Sequence, residues 1–397
     1  MNARIATPIA QSELDRRWAA LRAAMRAQGI DALILQASND WLGGSVRWLT
    51  DYPALNGYPR SIIFRTNAPM SVVEMGAFDS RRSLTDDDVQ RGVGEWFGVP
   101  AFQSIFYTTG YEAALMVADL RRHGDRHVGL VNGWAMPHRF VQTISADLDE
   151  RGVTLCDATD LVDQIKAIKS PAEIALIRQT ARLQDAVFAA VLAGINPGMR
   201  DNEVTALAQH QGQILGSEQG IFLGGSAPLG QRSSFLGRTL QGRRLQRGDH
   251  LSLLIEINGP GGFYGEIART IVLGRAPSAL SDGFAAVRAA QEHTLALIRP
   301  GADCAAIAAA HHDYMIAHGL PPERRLYAHG QGYDMVERPL IRHDETMALA
   351  ANMCLAVHPG YETESMFAVI CDNYLVTDTG VSACLHQTEK RLFEIDM

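Results

Sequence analysis

Apolar residues recur every three to four positions in SELDRRWAALRAAMRAQGI, residues 12–30, where Leu14, Trp18, Leu21 and Met25 form one stripe. That spacing predicts a helix capped by Ser12 and closed by Gly29. DALILQ then reads as a buried strand, and RSIIFRT, MSVVEM and HVGLVNG as further strands. Strands and helices alternate to about residue 160, the pattern of an α/β domain. The pattern changes at QIKAIKSPAEIALIRQTARL. There Ser170-Pro171-Ala172-Glu173 is a capping box with proline at the first helical position, opening a long helix to about Ala193. INPGM breaks it, RDNEVTALAQHQGQ starts another, and two more helices are expected over 280–298 and 302–318, with strands between.

Two hairpins stand out. In HLSLLIEINGPGGFYGEIARTIVLG, the residues Leu251, Leu253, Ile255 and Ile257 share one face, and His250, Ser252, Leu254 and Glu256 the other. A turn centred on Gly261 sets Glu256 opposite Glu266, with Cβ atoms about 5 Å apart. Facing carboxylates need a cation, a shared proton or a cationic substrate, unless a bulge turns one of them into solvent. In NMCLAVHPGYETESMFAVICDNYLVTDTG, a turn between Glu364 and Ser365 sets His358 opposite Cys371. Between the hairpins, His329 sits in the glycine-rich stretch RLYAHGQGYDMVERP. A lone histidine is more often a satisfied core residue than a ligand, but five such side chains in this order point to a site.

Composition narrows the function. The 397 residues suit two domains, and 47% hydrophobic content supports a large core. A net charge of -8 leaves no electrostatic footprint for nucleic acid or an anionic membrane. The N-terminal stretch lacks a signal-peptide core, and no apolar run approaches a membrane span. Five scattered cysteines, an odd number without a CxxC pair, suit a reduced cytoplasmic protein better than a disulfide framework.

These segments together resemble the creatinase, prolidase and methionine aminopeptidase superfamily. IKSPAEIALIRQTARL is similar to its opening catalytic helix. RGDHLSLLIEINGPGGFYGEIART is similar to its GD…DxG…SDxTRT hairpin, AHGQGYDMVERP to GHGIGLEVHExP, and CLAVHPGY…CDNYLVTDTG to FTIEPGxY…EDTVLVTEDG. Order and spacing agree over about 170–380. The resemblance implies an α+β protein of two domains, a creatinase-type α/β domain over 1–165 and a pita-bread catalytic domain over 166–397. It also implies a homodimer in which one subunit's N-terminal domain covers the partner's pocket.

The departures from that pattern shape the functional expectation. Where the metallopeptidases keep two Asp, one His and two Glu as ligands, this chain has Glu256, Glu266, His329, His358 and Cys371. The second histidine of the peptidase motif is replaced by Val336. All five ligand positions still carry coordinating side chains, a set that suits one divalent transition metal, Zn, Fe or Ni, or else no metal, rather than a dinuclear carboxylate-bridged centre. His329, His358 and Glu266 are the candidate catalytic groups. Trp41, Tyr58, Arg60, Arg232 and Glu337 are candidates for binding a small-molecule substrate. The expected activity is hydrolysis of a C–N bond in a small polar nitrogen compound. The alternatives are a lyase, an Xaa-Pro dipeptidase, or an inactive protein that binds peptide or protein.

Overall fold

The structure, a computed structural model, describes residues 7–39, 41–84 and 86–396. The chain divides into two compact units, Met1–Lys166 and Ala167–Met397.

The first unit is built on a seven-stranded mixed sheet of order β4-β5-β3-β2-β1-β6-β7. Its strands are β1 (Ala32–Ala37), β2 (Arg60–Arg65), β3 (Met70–Met75), β4 (Ser80–Ser83), β5 (Val93–Val99), β6 (His127–Leu130) and β7 (Thr154–Asp157). The helices are α1 (Gln11–Ala27), α2 (Gly44–Thr50), α3 (Thr109–His123), α4 (His138–Glu150) and α5 (Thr159–Ala167). The stripe Leu14, Trp18, Leu21 and Met25 of α1 is buried, as its period requires. Ser12 is not the cap. The helix starts two residues earlier, at Gln11 after Ala10, and no side chain caps it. Gly29 closes it at φ +68, where Ile30 N–H reaches the Met25 carbonyl at 2.9 Å.

A carboxyl in this unit makes stability depend on pH. Glu112 on α3 is fully buried; Ser61 donates to its Oε1 at 3.3 Å, and its Oε2 has no partner among the described residues. Burial pushes this carboxyl up from 4.5 to about 8, with the Ser61 bond opposing. An acid whose folded value is raised binds its proton more tightly in the folded state. Stability therefore falls as pH rises from about 4.5 to about 8, by roughly 4–5 kcal/mol at the upper bound. Thermal melts should show that slope, and Glu112→Gln should flatten it and raise the melting temperature at pH 8. An unchanged slope in the variant would contradict this assignment.

The second unit wraps helices around two four-stranded sheets, of order β17-β10-β9-β8 and β12-β11-β13-β16, with a short pair β14-β15. The helices are α6 (Pro171–Gly194), α7 (Asp201–Ile214), α8 (Ser278–Leu297) and α9 (Cys304–Ala317). The strands of the first sheet are β8 (Gly220–Pro228), β9 (Asp249–Asn258), β10 (Tyr264–Leu273) and β17 (Phe393–Ile395). The remainder are β11 (Ala328–Gly330), β12 (Glu337–Leu340), β13 (Cys354–Val357), β14 (Gly360–Glu362), β15 (Phe367–Val369) and β16 (Asp372–Leu375). The capping box of α6 forms both reciprocal bonds: Glu173 N–H to Ser170 Oγ at 3.1 Å, and Ser170 N–H to Glu173 at 2.7 Å. Leu251, Leu253, Ile255 and Ile257 pack on one side of β9 with Val187, Phe188 and Val191 of α6 and Val204 of α7. The polar alternate face of the hairpin is left for the site. Among the described residues, no helix is long and apolar enough to cross a membrane.

Candidate active site

The β9–β10 hairpin pairs in unbroken register from Tyr264↔Asn258 to Val272↔His250, which sets Glu266 opposite Glu256. Both carboxylates are buried. Burial, and then the charge of Glu266, drives the Glu256 carboxyl well above the usual carboxylate range, with a Gln331 hydrogen bond opposing. Burial raises Glu266 too, offset in part by Cys371 and Arg325.

His329 on β11 brings the first imidazole. Its Nδ1 donates to the Gly330 carbonyl at 2.9 Å, which leaves Nε2 with a lone pair, 3.7 Å from Glu266 Oε2. Burial lowers this imidazole below its ordinary value, so the 3.7 Å approach joins a neutral ring to a carboxyl and is not an ion pair. His358 follows β13. Its N–H donates to the Tyr327 carbonyl at 2.7 Å, and its own carbonyl accepts from Arg325 at 3.3 Å. Burial, then His329 and Arg325, hold the His358 ring well below its ordinary value. The two rings meet edge-on with centroids 5.1 Å apart, and among the described residues His358 Nε2 is buried without a hydrogen-bond partner. Donor atoms of Glu266, His329 and His358 lie within 4.8 Å of one another.

Glu256 and Cys371 fall outside that grouping. The ladders on either side of the second hairpin, Val357↔Asp372 and Gly360↔Val369, share one register, which leaves His358 and Cys371 at opposed positions in the gap. The backbone of Cys371 bridges instead to Ala268 of β10, and its side chain packs with Leu254 and Ala268. Burial, then the charges of Glu266 and Asp372, push the thiol well above its usual range, so the sulfur is a protonated, inert group and not an activated nucleophile.

The candidate binding residues are spread more widely. Glu337 is buried, ion-paired with Lys169 at 2.7 Å, and accepts Asp334 N–H at 3.1 Å. It presses on Gly332, where a Cβ would fall 2.5 Å from its carboxylate. Arg232 is exposed and 3.5 Å from Glu362. In the first unit, Arg60 is buried, bonded to Glu74 and to Gln90 at 2.6 Å, and lies over the Tyr52 ring. Trp41 and Tyr58 are exposed, with Tyr58 6.2 Å from the Phe102 ring.

Sequence reasoning passed over the amides that brace the carboxylates. Gln331 Nε2 donates to Glu256 Oε1 at 3.0 Å and to the Met335 carbonyl at 3.1 Å. Its Oε1 accepts from Asn373 Nδ2 at 2.7 Å, and Asn373 Oδ1 accepts Glu266 N–H at 2.7 Å. A signal existed: Gln331 stands where the motif GHGIG keeps isoleucine, so a buried amide replaces an apolar side chain.

The donor set decides which metal centre these residues fit. Two neutral imidazoles and one carboxyl, with an orphaned His358 Nε2 and a His329 ring oriented by its Nδ1–H bond, suit one divalent transition-metal cation.

Comparison with known proteins agrees with this architecture. The model for metallopeptidase family M24 matches residues 175–378. A Sinorhizobium fredii protein named as an uncharacterized hydrolase/peptidase, y4tM, is 25% identical over 389 residues, covering 93% of this chain and 94% of its own. The Xaa-Pro dipeptidase of Pyrococcus horikoshii is 25% identical over 65% of this chain and 73% of its own. The ectoine hydrolase of Halomonas elongata is 23% identical over 95% of this chain and 96% of its own. Among solved structures, dipeptidase PepE from Mycobacterium ulcerans superposes with a TM-score of 0.75 at 21% identity, over 98% of this chain and 100% of its own. With the motifs in order, the two-unit fold and the family model over half its length, this chain is a hydrolase of metallopeptidase family M24, with the pita-bread fold of the creatinase and prolidase superfamily.

Proposed function

We propose that the protein hydrolyses a C–N bond in a small, polar, nitrogen-containing compound rather than an Xaa-Pro peptide. The observation that carries this reading is the grouping of Glu266, His329 and His358 beside a second carboxyl, Glu256, which lies opposite Glu266 and accepts a hydrogen bond from Gln331. Glu266, His329 and His358 would hold one divalent cation, which supplies Lewis acidity toward the carbon under attack. His329 is fixed for that role by its Nδ1–H bond to Gly330. Glu256 spends Oε1 on the Gln331 amide and keeps Oε2 for an N–H or cationic group of the substrate. Burial and the neighbouring Glu266 charge hold the Glu256 carboxyl above its usual range and favour its protonated form, so Glu256 is suited to hand a proton to the leaving nitrogen.

Two features count against peptide substrates. His358 stands where the peptidases keep a carboxylate, and exposed Val336 where they keep a second histidine. The full-length similarity to an ectoine hydrolase, against 65% coverage by the Xaa-Pro dipeptidase, supports the same choice. The test is incubation of the Zn²⁺-supplied protein with ectoine and with Gly-Pro, followed by mass spectrometry for addition of water. Turnover of ectoine at least about 100-fold above that of Gly-Pro is expected. Robust Gly-Pro cleavage with ectoine untouched would overturn the reading.

A further inference from the structure

We infer that residues 230–242 form a strap that opens and closes over the face carrying Glu256 and Glu266, latched shut by Glu362. The inference concerns access to the site and holds whichever bond is cleaved there.

The strap joins β8 to β9, and little holds it down. A glycine of positive φ stands at each end, Gly230 at +86 and Gly242 at +148, with open space where a side chain would be. Such residues let a chain pivot without strain. Between them the side chains are exposed or half-buried, except that of Ser233, whose hydroxyl meets Ser252 Oγ at 2.9 Å. The Leu236 carbonyl accepts the Gly224 N–H at 3.2 Å, so the strap lies along β8, the outer strand of its sheet.

Beneath the strap is the wall of the site. Register sets Leu223, Leu254 and Ala268 side by side, two residues along the same face from Glu256 and Glu266. Cys371 packs with Leu254 and Ala268, and Phe235 of the strap packs against that group.

The latch comes from the β14–β15 hairpin. That hairpin is anchored, because Ala368 and the adjoining Ile370 pack with Phe284 and Val287 of α8. From it, Glu362 lies 3.5 Å from Arg232 and accepts the Ser234 hydroxyl at 3.3 Å. Phe367 meets Phe235 edge-on, with ring centroids 5.1 Å apart. Both members of the Arg232–Glu362 pair are 53% exposed, so the contact is weak and open to screening by salt. A weak latch on a strap with glycine ends is what repeated opening requires.

Cys371 reports the opening. The full chain is labelled with N-ethylmaleimide at one pH, and peptide mass spectrometry compares Cys371 with Cys354, which is as deeply buried but lies on β13. Glu362→Gln keeps the shape and removes the charge. Cys371 should then label about 2–5-fold faster, the scale of an exposed ion pair, with Cys354 unchanged. Sodium chloride at about 1 M should accelerate wild-type Cys371 by a similar factor and add nothing in the variant. The salt arm needs no substitution, so it decides the matter even if the variant misfolds. Equal acceleration of both cysteines would mean that the whole unit loosens, and would overturn the inference. So would a Cys371 rate, measurable or nil, that neither Glu362→Gln nor salt changes.

Discussion

Glu266→Gln is expected to lower Zn²⁺ affinity by at least about 100-fold and turnover by about 10²–10⁴-fold, while leaving the fold intact. The carboxyl is the one acidic member of the donor group and lies 3.7 Å from His329 Nε2. The structural bonds at this position belong to its backbone: the N–H donates to Asn373, and the carbonyl accepts from Cys371 Sγ at 3.5 Å. A glutamine keeps both. Burial raises the Glu266 carboxyl, so its ionised form costs stability above neutral pH. The metal-free variant should therefore melt at or above the wild-type temperature at pH 8, the usual opposition of function and stability at an active site. Calorimetry with Zn²⁺ and a thermal melt on the same sample check both halves. Retained affinity would remove Glu266 from the ligand set.

Arg269→Met should destabilise the second unit by about 3–5 kcal/mol. Arg269 on β10 and Asp372 on β16 are both fully buried and joined at 2.6 Å. The guanidinium also donates to the carbonyls of Ala268, Cys371, Thr388 and Glu389, at 2.9–3.1 Å. Burial alone would raise the Asp372 carboxyl, but Arg269 and then His386 hold it far below the usual range. Removing the arginine strands a buried carboxylate and four carbonyl acceptors together. A folded-state value below the unfolded one stabilises above the unfolded 3.8 and is lost as pH falls, so wild type should lose this contribution in acid and the variant should have little left to lose. Urea unfolding at pH 7 measures the cost. The double variant Arg269→Met with Asp372→Leu should recover part of it, and a loss below about 1 kcal/mol in the single variant would refute the assignment.

Elements fixed by local chemistry were legible in the sequence. The capping box at Ser170 predicts the start of α6 to the residue, because both partners lie within one helical turn. The Glu256–Glu266 pairing follows from strand alternation about a glycine-rich turn. Where the decisive contact comes from elsewhere in the chain, pattern reading loses its grip. The stretch GSVRWLT, which the pattern of hydrophobic positions leaves unassigned between the first two strands, is the helix α2. Arg17 and Trp18 of α1 reach its Trp48 and Leu49 carbonyls, each at 2.8 Å, beside the Arg47 carbonyl that the Asp51 N–H caps locally. The opposition of His358 and Cys371 was readable from register, but the bridge that draws Cys371 to Ala268 depends on how two sheets meet. Gln331 and Asn373 belong with it: an amide in a glycine-rich loop declares its partner only once β16 lies against the β9–β10 hairpin.

Hydrolysis in this chain is assigned to one cation, where a carboxylate-bridged pair would need two. Elemental analysis by plasma mass spectrometry, on protein purified without chelator, tests it most directly. One transition-metal ion per 43.3 kDa chain is expected, retained in wild type and lost in Glu266→Gln. Two metal ions per chain, or one that survives Glu266→Gln, would contradict it.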